Sequence, residues 1–594
     1  MILQALNDYY RRKAADPDPA RRLPAFGLEE KEIPFILEID VAGRWLPPIR
    51  DTRRKEGKRL LGQRFLVPQA VKRASGIAAN LLWDTAEYVL GVDTRGKPER
   101  VAEQHAAFRV RIEALPEPTT ALPGVVAVRK FLDAVDLAAL ANDPLWPETL
   151  EGNPVMSFRL QGEVELVCQH PAVALATATA EEGESSDSAF CLVSGAMAPA
   201  ERLHAAIKGV WGAQSSGANV VSFNLDAFNS YGKRQGANAP VGKPAAFAYT
   251  TALNHLLGRD SRQRVQVGDA STVFWAERPS DFETLVPDLF GESPKDDPDR
   301  GARALDALYR SIHSGHFVSD EDPTRCYVLG LAPNAARIAV RFWQTGTAAE
   351  LGARLRRHFD DLDVARGPND SRYLSLFRLL AGIAVQGKAD NIPPRLGGEV
   401  VRAVLAGEDV AYPTVLLQGA VGRCRAEQRV TYPRAAVLKA CLNRSIRNAN
   451  RNSTSATEKE FAPMLDTTHP SPAYRLGRLF AVLEKIQEEA SPGLNATIRD
   501  RYYGAAASTP ATVFPMLLKL KNHHVSKLDE RGKKMLYRAF SDNRPDDYIG
   551  QVLNEVPDIP NHLALQDQGR FALGYYHQRQ AFFTKPDNSE GDTK

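Results

Sequence analysis

The stretch that decides the fold class is Cys326–Trp343, which reads CYVLGLAPNAARIAVRFW. Two runs rich in β-branched and aromatic residues flank the turn signal Ala332-Pro333-Asn334, a pattern typical of a β-hairpin. After about Gly346 such runs thin out, and apolar residues recur three and four positions apart, as they do along amphipathic helices. We therefore expect an α+β protein, in which a mixed α/β N-terminal domain with antiparallel strands precedes an all-α helical-bundle C-terminal domain.

Both patterns continue outward from this hairpin. Upstream, the strand-like runs are PFILEID, VMSFRL, VELVC, FCLVS, VVSF and TVFWA, and downstream the helical segments include ELGARLRRHF, YLSLFRLLAGIAVQ and YRLGRLFAVLEKIQ. A chain of 594 residues exceeds what one hydrophobic core usually supports. We predict an α+β domain at 1–346, a helical region with a basic face at 347–463 and a helical bundle at 464–594.

The composition argues against several classes of protein. The net charge of +3 is too small to imply nucleic acid by itself. No stretch approaches eighteen uninterrupted apolar residues, and the N-terminal segment carries its charges after its apolar residues, the reverse of a secretory signal. The five cysteines form no CxxC pair, which argues against a zinc site and a disulfide framework. We expect a cytoplasmic protein without a membrane segment, a metal site or a cofactor.

Basic residues are concentrated in two segments. Residues 50–73 contain nine basic residues against two acids, and residues 423–451 contain eight against one. The helical pattern of the second segment places three arginines opposite its apolar face, namely Arg444, Arg447 and Arg451. Such a line of guanidiniums matches a phosphate backbone, and a solvated surface helix is the alternative. In the first segment we predict phosphate contacts from Arg53, Arg54, Lys55, Lys58 and Arg59.

The stretch Gly217–Pro240, GANVVSFNLDAFNSYGKRQGANAP, opens like a buried strand and becomes a polar loop whose only acid is Asp226. Its amides and cations are of the kinds that read base edges and hold phosphates, while Gly232 and Gly236 allow close backbone approach. Asn and Ser also satisfy their own backbone in turns, which is the structural alternative. The candidate nucleic-acid contacts in this loop are Asn224, Asn229, Ser230, Lys233, Arg234, Gln235 and Asn238.

No catalytic constellation is complete in the sequence. GVDTRGKP, Gly91–Pro98, follows the strand-like EYVL with the GxxxxGK skeleton of a phosphate-binding loop, but Pro98 stands where Ser or Thr should hold Mg²⁺. We interpret it as a hairpin turn. The run HSGH at 313–316 lacks a third metal ligand, and the acids of 360–363 form one short run. We expect a protein that is not an enzyme; a nuclease or NTPase acting on nucleic acid is an alternative.

Several stretches, in order along nearly the whole chain, resemble the large subunit of the type I-C CRISPR Cascade surveillance complex. They begin with KRASGIAANLLWDTAEYVLG near the N-terminus and continue with NVVSFNLDAFNSYGKRQGANAPVGKPAAFAYTTALNHLL, STVFWAE, CYVLGLAPNAARIAVRFW, YRLGRLFAVLEKIQ and LGYYHQRQAFF. No single motif is a universal signature, but the ordered set is hard to obtain by chance.

The resemblance implies an RNA-guided DNA-binding complex, in which pairing with guide CRISPR RNA reads most of the target. The large subunit of that family recognises a short protospacer-adjacent motif (PAM) in double-stranded DNA and starts strand separation, and its C-terminal helices lie along the target and displaced strands. It also helps to recruit a separate helicase-nuclease. Further implied partners are the backbone and guide-processing subunits and small subunits made from its own C-terminal region, for which Met464 is a candidate internal start.

On the basis of this resemblance, we predict that the polar loop takes part in PAM recognition. Base or sugar contacts would come from Asn229, Lys233, Arg234, Gln235 and Asn238. Phosphates would be held by Lys72 and Arg73. The alternative within the same complex is a purely structural subunit that holds the guide and backbone proteins without reading DNA.

Overall fold

Strands and helices are both present up to Thr347, and from Ala348 onward every element of the described chain is helical. The computed structural model describes residues 1–57, 59–71, 73, 76–183, 188–314, 323–451, 458–554, 556 and 558–583. The predicted α+β class is confirmed. The chain divides into two compact units, residues 1–207 with 221–255, and residues 208–220 with 256–594.

The first unit contains most of the short strands. Its strands are β1 (Leu28–Glu32), β2 (Phe35–Ile39), β3 (Arg50–Asp51), β4 (Arg54–Glu56), β5 (Arg59–Leu61), β6 (Arg64–Pro68), β7 (Trp83–Thr85), β8 (Val155–Leu160), β9 (Ser188–Phe190) and β10 (Met197–Pro199). Its helices are α1 (Ile2–Ala14), α2 (Ala86–Val89), α3 (Pro98–Glu113), α4 (Pro123–Asp133), α5 (Leu137–Leu140), α6 (Trp146–Gly152), α7 (Pro171–Gly183) and α8 (Lys243–Leu256).

A four-stranded sheet of order β3-β2-β8-β7 is the centre of the first unit. Four of the five residues of β2 are buried, because the strand is central and covered on both faces, so its sequence FILEI forms a nearly continuous apolar run. Strand β2 pairs in parallel with β8 and antiparallel with β3. Helices α3 and α4 pack Phe108, Val128 and Phe131 into the same core.

The second unit begins with a four-stranded antiparallel sheet and continues as stacked helices. Its strands are β11 (Arg264–Val267), β12 (Ala270–Ala276), β13 (Arg325–Asn334) and β14 (Arg337–Thr347). Its helices are α9 (Phe282–Phe290), α10 (Arg300–Ser314), α11 (Ala348–Leu362), α12 (Leu376–Ile383), α13 (Leu396–Ala406), α14 (Thr414–Ala426), α15 (Tyr432–Arg451), α16 (Pro472–Ala490), α17 (Ile498–Ala506), α18 (Pro510–Ser526), α19 (Glu530–Ala539), α20 (Pro545–Leu553) and α21 (Leu565–Ala581).

The hairpin that decides the fold class is present as β13–β14, with Asn334 opposite Arg337 at the turn. A register shift between Gly330 and Leu331 bends the pair. One hydrophobic core runs without a break from Phe274 in the sheet to Tyr576 in α21. The division of the chain into functional domains at 347 and 464 stays a prediction.

Four of the short strand predictions are wrong. VELVC leads into a 3₁₀ turn at Val167–Gln169, and FCLVS contributes only Phe190 to β9. VVSF is irregular, and the neighbouring Asn219 makes only an isolated parallel bridge to Arg337. EYVL forms most of helix α2. Apolar runs of four or five residues fit a buried turn or helix as well as a strand, because periodicity needs more length to separate them.

Candidate nucleic-acid interface

The polar loop lies on the surface of the first unit. Five of its seven candidate residues are exposed, namely Asn224, Asn229, Ser230, Lys233 and Arg234. Gln235 and Asn238 are half-buried within a short 3₁₀ turn, Gln235–Asn238. The loop therefore presents both cations and several amide and hydroxyl groups to solvent.

Asn238 forms the internal frame of this loop. Its Oδ1 accepts a hydrogen bond from the backbone N–H of Ser230 at 3.1 Å, and its Nδ2 donates to the carbonyls of Lys233 and Gln235 at 3.3 and 3.0 Å. The amide predicted to read a base is thus engaged within the loop. Asn229 is partly engaged as well, because its Nδ2 lies 3.3 Å from Asp226 Oδ1.

The base of the loop is pinned by Gly236. Its N–H donates to the carbonyl of Arg202 at 3.2 Å. A Cβ at this position would lie 2.1 Å from the carbonyl oxygen of Glu201, so only glycine fits. The predicted need for close backbone approach at Gly236 is therefore met by the protein's own chain.

The tip of the loop carries a residue that the sequence reasoning missed. Tyr231 is 98% exposed and has a φ of 51°, and it is followed by Gly232 with a φ of 71°. Lys233 N–H donates to the Ser230 carbonyl at 2.9 Å across these two residues, closing a tight turn. A positive φ is strained for tyrosine, and strained residues cluster at functional sites. The turn thus presents an aromatic ring to solvent, close in sequence to the cations Lys233 and Arg234. An aromatic residue before glycine in a polar loop was the available signal.

The basic segment 50–73 separates into engaged and unengaged cations. Arg53 pairs with Asp51 at 2.7 Å and with Glu148 at 2.6 Å, and its guanidinium lies 4.7 Å from the ring centre of Phe35. These hydrogen bonds raise the pKa of Arg53 and leave its side chain 18% exposed. Arg54 and Lys55 are exposed on β4. Lys58 and Lys72 lie outside the described residues, and only the backbone of Arg59 is described, in β5.

Arg73 is held by the protein itself. Its guanidinium pairs with the buried carboxylate of Asp84, donates to the Ala78 carbonyl at 2.6 Å and stacks 4.2 Å from the ring centre of Tyr88. The side chain keeps 29% of its surface exposed. Its predicted phosphate contact would therefore come from the exposed edge of a fixed guanidinium.

The expectation that α15 presents a line of exposed arginines is wrong for two of the three. Arg444 is 1% exposed, donates to the Ala403 carbonyl at 2.8 Å and lies 3.9 Å from the ring centre of Tyr412. Arg447 is 8% exposed and pairs with Asp361, Glu408 and Glu460 at 2.5, 2.6 and 2.6 Å. Arg451 stays at the surface beside Asp409. From Arg434 to Arg447 nearly every residue of the helix is buried, so both faces of this part are interior.

Unengaged cations occur instead along α19, which the sequence reasoning did not select. Arg531, Lys534 and Arg538 are exposed at positions i, i+3 and i+7, while Leu536 is buried on the opposite face. Within the described ranges none of the three forms an ion pair. Tyr537 is 51% exposed on the same helix. The chain thus carries an exposed basic stripe 80 residues beyond the predicted one.

The GVDTRGKP segment is a turn, but it joins helices α2 and α3 and is not a hairpin turn. Asp93 Oδ1 accepts the N–H of Arg95 at 2.9 Å. Backbone donors from Lys97, Arg95 and Gly96 lower the pKa of Asp93. The amides that would cradle a phosphate are therefore occupied by the loop's own carboxylate.

Among the residues that the structure describes, the remaining candidates bring together no further site. In the HSGH run, the side chains of His313 and Ser314 and all of residues 315–316 lie outside what the structure describes. Across the described ranges no three His, Cys, Asp or Glu residues form a group that could hold a metal ion. Over the same ranges no helix is long and apolar enough to cross a membrane.

Comparison with known proteins gives one family. A search of the curated proteins finds no match. A family model described as CRISPR-associated protein (Cas_Csd1) matches residues 6–583, which include nearly all of both compact units and every surface described above. The resemblance seen in the sequence is thus confirmed, and the chain belongs to the Cas_Csd1 family of CRISPR-associated proteins.

Proposed function

We propose that this chain is the large subunit of a type I-C CRISPR surveillance complex, that it recognises the PAM in double-stranded DNA, and that it promotes duplex opening and R-loop formation. Family membership supports its place in a CRISPR system. The observation that carries PAM recognition is the exposed loop 224–238, in which amides and cations project from a frame closed by Asn238 and Gly236.

The loop has the chemistry that groove recognition needs. Lys233 and Arg234 are exposed and follow the turn, and an arginine can donate two hydrogen bonds to guanine O6 and N7. The frame restricts the loop before DNA arrives, so less conformational entropy is lost on binding. We assign Asn238 to the frame, and we assign direct contacts to Asn229, Lys233, Arg234 and Gln235.

Tyr231 is suited to the opening step. A ring that is 98% exposed can stack on a base at the junction where the first pair separates. Base stacking on an aromatic ring is worth about 1–3 kcal/mol, which is comparable to the cost of unstacking one base step. The stack would thus offset the cost of opening beside the PAM.

Strand contacts in the C-terminal part are better assigned to α19 than to α15. The cations of α19 are exposed, whereas Arg444 and Arg447 are buried and already bound to groups of the protein itself. Arg531, Lys534, Tyr537 and Arg538 combine phosphate-binding and stacking groups on one surface, as proteins that bind single strands do.

We propose further that the chain has no catalytic activity and works in the prokaryotic cytoplasm with guide RNA, the Cascade backbone and guide-processing subunits and small subunits from its own C-terminal region. Cleavage would then belong to the helicase-nuclease recruited in trans. Purified chain incubated with Mg²⁺ or Mn²⁺ should leave DNA and ATP intact.

The test of PAM recognition is duplex binding by the guide-loaded complex, assembled with and without this chain. Matched targets carry either the native or a scrambled flanking motif. Tight binding that needs both the chain and the native motif supports the proposal. Motif-dependent binding that survives omission of the chain overturns it, because recognition would then lie in another subunit.

A further inference from the structure

The hairpin formed by β4 and β5 is an arm mounted on a rigid base. At the base, the Thr52 hydroxyl donates to the Ile33 carbonyl at 2.5 Å and accepts the N–H of Gln63 at 3.1 Å. The Ile33 N–H donates to the Gln63 carbonyl at 3.0 Å. The two ends of the hairpin are therefore tied to each other and to the segment between β1 and β2.

Two further contacts stiffen this base. A Cβ at Gly62 would lie 3.0 Å from the backbone of Pro34, so the chain leaves the hairpin in close contact with that segment. On the other side, Arg53 pairs with Asp51 and Glu148. Arg53 is thus an anchor of the arm, and its charge is already matched by two carboxylates.

Beyond the base, the arm is rich in basic residues, and most of its described side chains are exposed. The register pairs Arg54 with Leu61, Lys55 with Leu60 and Glu56 with Arg59 around the turn at Gly57. Gly57 has a φ of 61°, and a Cβ there would meet no described atom within 4 Å. Arg54 and Lys55 are exposed, and among the described residues neither forms an ion pair. Leu60 is 61% exposed.

The dimensions of the arm fit the major groove of B-form DNA. Three residues per strand extend about 10 Å, and the two strands lie about 4.8 Å apart. The groove is about 12 Å wide and 8.5 Å deep and admits a two-stranded β-ribbon. The major groove of an RNA helix is too narrow and deep for side chains to read, so the stem of a guide RNA fits this shape less well.

We propose that the β4–β5 hairpin is a duplex-binding arm that holds the DNA flanking the PAM on the side away from the guide-paired segment, without reading its sequence. This inference rests on the proposed function, since it presupposes that the chain meets double-stranded target DNA. The arm adds a contact whose strength depends on how much duplex lies beyond the PAM, while the loop 224–238 carries the discrimination between motifs.

The test uses the guide-loaded complex and a series of targets with one protospacer, the native motif and flanking duplex of about 5, 10 or 20 base pairs, the longest being about two helical turns. The variant is Arg54→Ala with Lys55→Ala. The matched control is Arg129→Ala with Lys130→Ala, an exposed pair on α4 in the same unit that removes the same charge. Thermal unfolding of each purified chain checks folding.

With native chain and with the control, affinity should rise as the flank lengthens. With the arm variant this rise should be lost. The salt slope, which is the slope of the logarithm of the binding constant against the logarithm of the salt concentration, should fall in magnitude by about 1.8 on the longest target, because two phosphate contacts are removed. Between 50 and 200 mM salt, the affinity of the variant complex should therefore fall by a factor about twelve times smaller than the factor for the native complex. The ratio of native to scrambled motif affinity should stay unchanged, which separates the arm from the loop.

Two results would overturn the arm. If affinity rises with flank length equally in the variant and the control, the hairpin does not touch flanking DNA. If the variant instead releases guide RNA during assembly, the hairpin binds the RNA stem. Failure of PAM recognition itself has a different signature, namely equal affinity for native and scrambled motifs in the native complex.

Discussion

At the scale of single residues, Tyr231 gives the sharpest prediction. Tyr231→Ala should slow strand opening on duplex targets by about tenfold, equivalent to about 1.4 kcal/mol of lost stacking. Tyr231→Phe keeps the ring and should behave as native chain does. The measurement is fluorescence of 2-aminopurine placed beside the PAM, followed after mixing with the guide-loaded complex.

A target with a pre-opened bubble supplies the control for Tyr231. On it the Ala variant and native chain should bind alike, because no base step remains to be unstacked. Equal opening rates of the Ala variant and native chain on the closed duplex would rule out a stacking role for this ring.

Gly236 and Gly232 form a matched pair of substitutions within the loop. Gly236→Ala places a methyl group 2.1 Å from the Glu201 carbonyl, so the loop base must move. Gly232→Ala meets no described atom within 4 Å, and it adds only the strain of an alanine at a φ of 71°, which binding to the native and to the scrambled motif shares. Gly236→Ala should therefore lower the preference for the native motif by about 1–3 kcal/mol, the worth of one base contact, while Gly232→Ala changes it little.

Competition binding with native and scrambled motifs measures both glycine variants. A full native preference in the Gly236→Ala complex would show that motif reading does not depend on this loop.

The residue scale also shows how far the sequence predicts the candidate site. Residue type predicted that the loop would be polar and solvent-exposed, because Asn, Lys and Arg are rarely buried without partners. It could not show that Asn238 turns inward, since a carboxamide serves a backbone frame or a base edge equally well. Arg53 and Arg73 are ion-paired, whereas Arg54 forms no ion pair with any residue that the structure describes, and the sequence around them does not show this difference. Glu148, the partner of Arg53, is distant in sequence, and Asp84, the partner of Arg73, lies in a following turn.

At the scale of elements, long periodic segments were predictable and short ones were not. Helices α11 and α16 and hairpin β13–β14 span enough residues for their period to be read. For α15 the period gave the helix correctly but not its environment. The face that carries its arginines packs against α11 and the segment around Glu460. This polar face is therefore in the interior, although its residue types indicated a surface.

Helices α15 and α19 should therefore respond oppositely to loss of arginine. Arg447→Ala leaves the carboxylate of Asp361, whose side chain is 3% exposed, without its partner. Breaking a buried ion pair costs about 3–5 kcal/mol of unfolding free energy. Replacing Arg531, Lys534 and Arg538 together by Ala should leave stability nearly unchanged, because these side chains are exposed, and should lower the salt slope by about 2 on single-stranded DNA.

Urea unfolding and salt-dependent DNA binding, applied to both variants, check this prediction. A reduced salt slope in a folded Arg447→Ala chain would restore α15 as a nucleic-acid face. An unchanged slope in the α19 variant would remove α19 from the interface.

At the scale of the whole molecule, the described part of the second unit contains three buried histidines that stay neutral. Burial lowers the pKa of His358 and His577 to about 3 and that of His469 to about 4. In the unfolded chain their pKa is about 6.5, so below that pH the unfolded state binds protons that the folded state does not. Stability is therefore full above about pH 6.5 and falls as the pH drops toward 4.

Each histidine should contribute a slope of about 1.4 kcal/mol per pH unit in this window. Urea unfolding between pH 7.5 and 5 measures the sum, and His577→Gln should remove about one third of it. A free energy of unfolding that is constant over this range would contradict the assignment of neutral, buried imidazoles.

A fragment that begins at Met464, the candidate internal start, tests whether the C-terminal bundle folds without the rest of the chain. Helices α16 and α21 cross so closely that a Cβ at Gly477 would lie 1.9 Å from the Phe571 carbonyl, and one at Gly574 would lie 2.1 Å from that of Tyr474. This crossing lies wholly within the fragment. We therefore expect the isolated fragment to fold and to show a helical circular dichroism spectrum.

The fragment lacks α14 and α15, which cover the other side of α21 in the full chain. Leu417, Leu438 and Leu442 lie 3.4 to 3.7 Å from the position of a Cβ on Gly569. Their loss exposes a contiguous apolar face, and such faces bind other surfaces. The fragment should therefore bind the dye ANS and self-associate in sedimentation, whereas the full chain does neither. A monomeric fragment that does not bind ANS would mean that α21 repacks once α14 and α15 are absent, and that the bundle has a different arrangement as a free subunit.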